Sequence, residues 1–128
     1  MHRVKNIAVV GLSPKAKRPS YKVASAMQSF GYRIFPVRPA ITEVLGEPAY
    51  ETLTDIKENI DLVDVFRAPE HVDDIVDECI KLKIPAIWLQ DGVINEPAAI
   101  RAQQAGLFVV MNRCIYRDYI ELFNTNPD

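Results

Sequence analysis

Five short apolar runs recur along the chain, each bounded by a turn residue and separated from the next by enough residues for a crossover. They are Asn6–Gly11, Tyr32–Val37, Asp61–Phe66, Ala86–Gln90 and Leu107–Met111. Short continuous runs rich in β-branched and aromatic residues read as strands covered on both faces. Parallel strands need long crossovers, and right-handed crossovers place helices on both sides of the sheet. The expected fold is therefore α/β, a Rossmann-like three-layer sandwich around a five-stranded parallel sheet, with 3-2-1-4-5 as the expected strand order.

The intervening segments carry helix signals. Ser20 is placed to cap a helix whose apolar residues Val23, Met27 and Phe30 share one face, with Gly31 closing it. Pro69 falls in the first turn of a second helix, where Val72, Ile75, Val76, Cys79 and Ile80 form the apolar stripe. Asp73, Asp74, Asp77 and Glu78 on its other side read as a solvated acidic face. Asn95-Glu96-Pro97 opens a third helix that runs to about Ala105 and closes at Gly106, and Tyr116–Phe123 forms a fourth. Residues 40–59 read as a long connection with one short helix near Asp55–Asn59, and residues 124–128 as a frayed tail.

A chain of 128 residues, 48% of them hydrophobic, fits one domain over 1–128 with a core that needs no staples. It holds no apolar run of the roughly 18 residues that suggest a membrane helix, and its N-terminus lacks a signal-peptide pattern. A cytoplasmic location with no membrane partner is the expectation. Cys79 and Cys114 fall in no Cys-x-x-Cys pattern, and with two distant histidines they suggest free thiols and no metal site.

The net charge of −2 conceals a division. Residues 1–40 hold eight Lys and Arg and no carboxylate, whereas the rest hold seven bases and 17 acids. Such asymmetry points to an anionic partner. Nucleic acid is not expected, because the cations fall on loops without a recognition helix and the overall charge is negative.

Ligands of open parallel sheets lie at the carboxyl ends of the strands. The loop after the first strand runs from Gly11 to Ser20 and has one of the three glycines of the dinucleotide fingerprint. It offers instead Ser13, Lys17, Arg18 and Ser20 together with the free N–H groups of a helix start, the elements of a phosphate site. The second strand ends in Val37-Arg38-Pro39, where plain NAD binders present an acid; Arg38 suits a ribose carrying a phosphate, as in NADP or coenzyme A (CoA). Phe66 can flank an adenine and Arg67 reach a phosphate, while Gln90 and Gly92 can meet an amide-rich tail. Taken singly these are weak signals, since an arginine after a strand is most often simply exposed. His71 lies in the first turn of a helix, no Ser-His-Asp pattern is visible, and no residue is assigned a catalytic role.

Six motifs together carry a family resemblance: Val9-Val-Gly-Leu-Ser13, Arg18-Pro-Ser20, Pro36-Val-Arg-Pro39, Val63-Asp-Val-Phe-Arg67, Trp88-Leu-Gln-Asp-Gly-Val93 and Val109-Val-Met-Asn-Arg-Cys114. Through them the chain resembles the small stand-alone CoA-binding proteins, whose fold is similar to the N-terminal domain of the succinyl-CoA synthetase α subunit. The resemblance implies that Gly11–Ser20 holds CoA phosphates, with Ser13, Arg18 and Ser20 the best matches. It implies that Val37–Pro39 and Phe66-Arg67 line the adenosine portion, and that Gln90 and Gly92 meet the pantetheine. Relatives often carry Lys after the second Pro of the P-V-x-P motif; this chain has Ala40, with Arg38 the alternative cation.

The expected function is therefore binding of CoA or an acyl-CoA by a non-catalytic carrier, sensor or regulatory module. The rivals are an enzyme dependent on NADP or another nucleotide, and a protein interaction domain with a vestigial pocket. Cys114 follows the fifth strand on the same edge, as an inert buried thiol or as a partner for the CoA thiol in a mixed disulfide.

Overall fold

A computed structural model of the chain describes residues 4–124. In chain order the strands are Asn6–Val10 (β1), Arg33–Val37 (β2), a small hairpin of Glu43–Val44 (β3) and Glu47–Pro48 (β4), Leu62–Val65 (β5), Ala86–Leu89 (β6) and Phe108–Met111 (β7). The helices are Pro19–Ser29 (α1), Val72–Lys81 (α2), Glu96–Gln104 (α3) and Ile115–Asn124 (α4). Five strands make an all-parallel sheet in the order β2-β1-β5-β6-β7, with the hairpin separate. The α/β sandwich expected from the five runs is the fold observed.

The expected strand order is not. The third of the five sheet strands, β5, pairs with β1 rather than adding outside β2, so the order is 2-1-3-4-5. The reason lies at Pro36. Its carbonyl accepts the N–H of Tyr50 on the side away from β1, so its missing N–H also faces that side. Proline is tolerated on an edge strand facing outward, and a further central strand could not form its ladder there. Tyr50 instead makes a single parallel bridge beside Val37, and its carbonyl accepts the N–H of Arg38.

The apolar layers follow strand alternation. Ala8, Val10, Phe35, Val63, Ile87 and Leu89 pack toward α2 and α3, while Ile7, Val9, Ile34, Leu62 and Trp88 pack toward α1 and α4. Leu53, Ile56 and Ile60 of the 49–61 connection belong to the α2 and α3 side. That is the face a right-handed crossover from β2 past β1 to β5 must use.

Three local expectations shift. Ser20 does not cap α1: Arg18 is the N-cap residue and Pro19 the first helical one, because proline supplies a helical φ and needs no N–H there. The short helix near Asp55–Asn59 is absent. A 3₁₀ turn lies at Leu53–Asp55 instead, fixed by a reciprocal cap between Thr52 and Asp55. Pro69 opens a separate 3₁₀ turn, Pro69–His71, and the α-helix proper begins at Val72. Asn95 does cap α3, its side chain accepting the N–H of Ala98 at 3.1 Å. Of the tail expected to fray, Asn124 ends α4 and 125–128 lie outside the described residues.

The acidic face of α2 is only partly solvated. Asp73 and Asp77 both pair with Arg101 of α3, joining the two helices that cover this side of the sheet.

Candidate functional site

The order β2-β1-β5 puts the topological switch between β1 and β5, where the chain leaves neighbouring strands toward opposite faces and opens a crevice. Gly11 stands at its edge with φ of +87°. A Cβ at this position would lie 2.4 Å from the carbonyl oxygen of Phe66, so the loop after β1 touches the end of β5 only because residue 11 is glycine.

The rest of that loop is built on itself. The Ser20 hydroxyl, in the first turn of α1, accepts the buried N–H of Ser13 at 2.9 Å. The Ser13 hydroxyl accepts the N–H of Lys15 at 3.1 Å, and the N–H of Arg18 bonds to the carbonyl of Lys15. Both serines are more than nine-tenths buried. Their positions explain why a loop with one glycine still holds a tight course: side-chain hydroxyls replace the bare backbone of the dinucleotide fingerprint.

Above the strand ends lies an open cavity of about 830 Å³, within the range of small-molecule and cofactor sites. Of the residues singled out from the sequence, Gly11, Ser13, Arg18 and Ser20 line it from the first loop, and Arg38, Pro39, Phe66, Arg67 and Gln90 from the ends of β2, β5 and β6. The Arg38 side chain reaches back across the β1 loop, with a guanidinium nitrogen 3.5 Å from the Gly11 carbonyl.

Three candidates are not among the lining residues. Val37, the last residue of β2, turns its side chain into the α2 and α3 layer. Gly92 lies in the turn after β6 with φ of +79° and donates its N–H to Asn112. Lys17 is exposed on the first loop. The cavity wall also includes Ile41, Asp91 and Val93, which were not singled out, and Lys15 and Cys114. Ile41 gave no periodic signal, because it follows Ala40, whose φ of +68° turns the backbone over the cavity.

Ion pairing divides the arginines. Arg33 pairs with Glu58, Arg101 with Asp73 and Asp77, Arg113 with Asp118, and Arg117 with Asp91. Lys15, Arg18, Arg38 and Arg67 at the cavity form no ion pair among the described residues. Every described arginine away from the cavity is paired, so three unpaired arginines with Lys15 around one concavity favour an anionic occupant. Asp91, the one carboxylate among the lining residues, is held by both guanidinium nitrogens of Arg117 at 2.7 and 2.8 Å.

One carboxyl lies beneath the site. Asp64 of β5 is buried between Val9 and Trp88, its Oδ1 meets no partner, and burial pushes its protonation well above the usual carboxylate range. Among the described residues no cluster of three or more His, Cys, Asp and Glu is placed to hold a metal, and no helix is long and apolar enough to cross a membrane.

Comparison with known proteins bears on this geometry. The chain is 42% identical over 115 residues to YneT of Bacillus subtilis, covering 90% of this chain and 85% of that protein. A Thermus thermophilus protein, solved as cell-free ID.343, superposes with a TM-score of 0.91 at 35% identity, covering 95% of this chain and 92% of the other. An ADP-forming acetate–CoA ligase of Archaeoglobus fulgidus is 31% identical over 75 residues, which are 59% of this chain and only 11% of the ligase. The model of the CoA binding domain matches residues 5–119, a stretch that begins at the approach to β1, ends within α4 and takes in every loop bordering the cavity. On that extent, and as its six motifs indicated, the chain belongs to the CoA-binding domain family.

Proposed function

We propose that the chain binds CoA or an acyl-CoA in the cavity at the carboxyl ends of the strands, acting as a carrier, sensor or regulatory module rather than as a catalyst. The observation that carries this reading is the unpaired set Lys15, Arg18, Arg38 and Arg67 around a single opening, beside the start of α1. CoA bears phosphate at two places, and a charge-assisted contact to each is worth roughly 1.5–3 kcal/mol. Family membership and the identity to a CoA ligase segment support the same ligand. A non-catalytic role fits a lining in which Asp91 is already engaged by Arg117 and no histidine takes part. In this reading residues 1–128 act as one unit, in a reducing compartment where Cys79 and Cys114 form no disulfide with each other.

Melting curves with CoA, acetyl-CoA, dephospho-CoA and NADP test the reading. CoA at 100 times its dissociation constant is expected to add about 2.7 kcal/mol of stability, and dephospho-CoA less at equal concentration. A shift with NADP and none with CoA overturns the reading in favour of a nicotinamide-nucleotide enzyme.

A further inference from the structure

The cavity changes character along its wall. Its four unpaired cations come from the loops after β1, β2 and β5, whereas the side formed after β6 and β7 presents Gln90, Val93 and Cys114, with Asp91 neutralised by its pairing to Arg117. Gln90 is 4% exposed. Its Oε1 accepts the N–H of Ile115 at 3.1 Å, and its amide nitrogen donates to no described residue. That nitrogen opens on the cavity and can donate to a carbonyl of an occupant.

The bond from Gln90 to Ile115 also fixes the residue just before it. Cys114 is 8% exposed, lines the cavity, and stands immediately ahead of α4, its carbonyl accepting the first helical bond from Asp118.

The second thiol is out of reach. Cys79 belongs to the α2 and α3 layer and Cys114 to the layer on the other face of the sheet, so the two cannot be joined in the folded chain. Burial pushes the Cys79 thiol up to about 12, which leaves it un-ionised and inert. Cys114 therefore has no resolving partner within the chain, and its disulfide chemistry must involve a thiol from outside.

We propose that Cys114 is a site of reversible mixed-disulfide formation with the thiol end of CoA, supplied as CoA disulfide. The proposal rests on the reading of the cavity as a CoA site: phosphates on the cationic side leave the neutral tail of the ligand to end beside Gln90 and Cys114. The Cys114 thiol gives its proton to water, and its sulfur attacks one sulfur of CoA disulfide. A bond forms between Cys114 Sγ and that sulfur, the S–S bond of the reagent breaks, and the departing CoA thiolate takes up a proton. Cys114 is oxidised and one CoA is released reduced. An external thiol reverses the exchange.

Intact-mass measurement and peptide mapping after incubation with CoA disulfide test this. One CoA should be added to Cys114, with one hydrogen lost from each partner, and Cys79 should remain free. The reaction should run roughly tenfold or more faster than with glutathione disulfide at equal concentration, because the cavity holds the reagent beside the sulfur. Cys114→Ser should abolish the adduct, and mapping of the unaltered chain identifies the modified residue even if that variant folds poorly. Melting curves with reduced CoA report separately on the cavity. A rise in melting temperature with reduced CoA but no adduct, an adduct on Cys79, or equal rates with both disulfides overturns the proposal and leaves the CoA reading intact. No rise in melting temperature overturns both.

Discussion

Ser20 accepts the backbone N–H of Ser13 across seven residues at 2.9 Å, and both residues are buried. This contact sets the course of the β1 loop. Ser20→Ala leaves a buried N–H without an acceptor, a loss of about 1–3 kcal/mol. Urea denaturation should show that loss, and CoA titration of the folded variant should show weaker binding as the loop relaxes.

Arg67 and Arg101 test whether pairing predicts function. Arg67→Ala removes an unpaired cation from the cavity and should weaken CoA binding by roughly 1.5–3 kcal/mol, about 10- to 150-fold. Arg101→Ala breaks contacts to Asp73 and Asp77 on α2, far from the cavity wall, and should leave CoA affinity unchanged. Calorimetry at low and high salt decides the matter: wild-type affinity should fall with salt, and the fall should be shallower for Arg67→Ala. Equal effects of the two substitutions would remove the electrostatic argument.

Ala40 lines the cavity beside Arg38 and already holds a positive φ. Lysine there strains the backbone no more than alanine does, and it restores the cation common in relatives. Ala40→Lys should therefore tighten CoA by a few-fold up to about tenfold, the gain of one partly screened charge contact. Dephospho-CoA should gain less, which competition binding with the two ligands would resolve.

Asp64 gives the chain a pH dependence of the less common sign. The folded state holds its carboxyl protonated to well above the usual range, while the unfolded chain releases that proton near pH 4, as roughly expected for a free aspartate. Between the unfolded value and the raised folded one, the unfolded state binds fewer protons, so stability from this group falls as pH rises. The slope is at most about 1.4 kcal/mol per pH unit. Below the unfolded value the stability is fully present. Asp64→Asn keeps the shape without the titration and should flatten that part of the profile in chemical denaturation from pH 4 to 8. An unchanged profile would show that Asp64 ionises normally.

The strands and most helix boundaries were legible because continuous β-branched runs and helical spacing report burial directly. Strand order was misread as 3-2-1-4-5, because the weight of Pro36, which lies inside the second run and marks it as an edge, shows only once its outward carbonyl is seen to bond Tyr50. The β3–β4 hairpin was not legible: its turn places Leu45 and Gly46 both at positive φ, and leucine carries no preference for that conformation. The cations of the first loop could be assigned to the ligand edge from topology alone. The inward course of Ala40 and Ile41, and the way Arg117 holds Asp91, depend on contacts between distant segments that no local pattern records. For the same reason the acidic stripe on α2 read as solvated, although Arg101 lies 24 and 28 residues away along the chain and joins part of it.

Pro36 and Tyr50 together give the sheet a closed margin and an open one. At β2 the outward row of hydrogen-bonding groups is interrupted by a proline and occupied by the Tyr50 bridge, so no visiting strand can be templated there. At β7 the outer row meets no strand among the described residues, and Phe108 is 66% exposed. Growth of this sheet, whether by a grafted strand or by aggregation of unfolding chains, is directional and starts at β7. That margin lies four strands from β2, so a charge or proline introduced there would protect the molecule without disturbing the switch between β1 and β5.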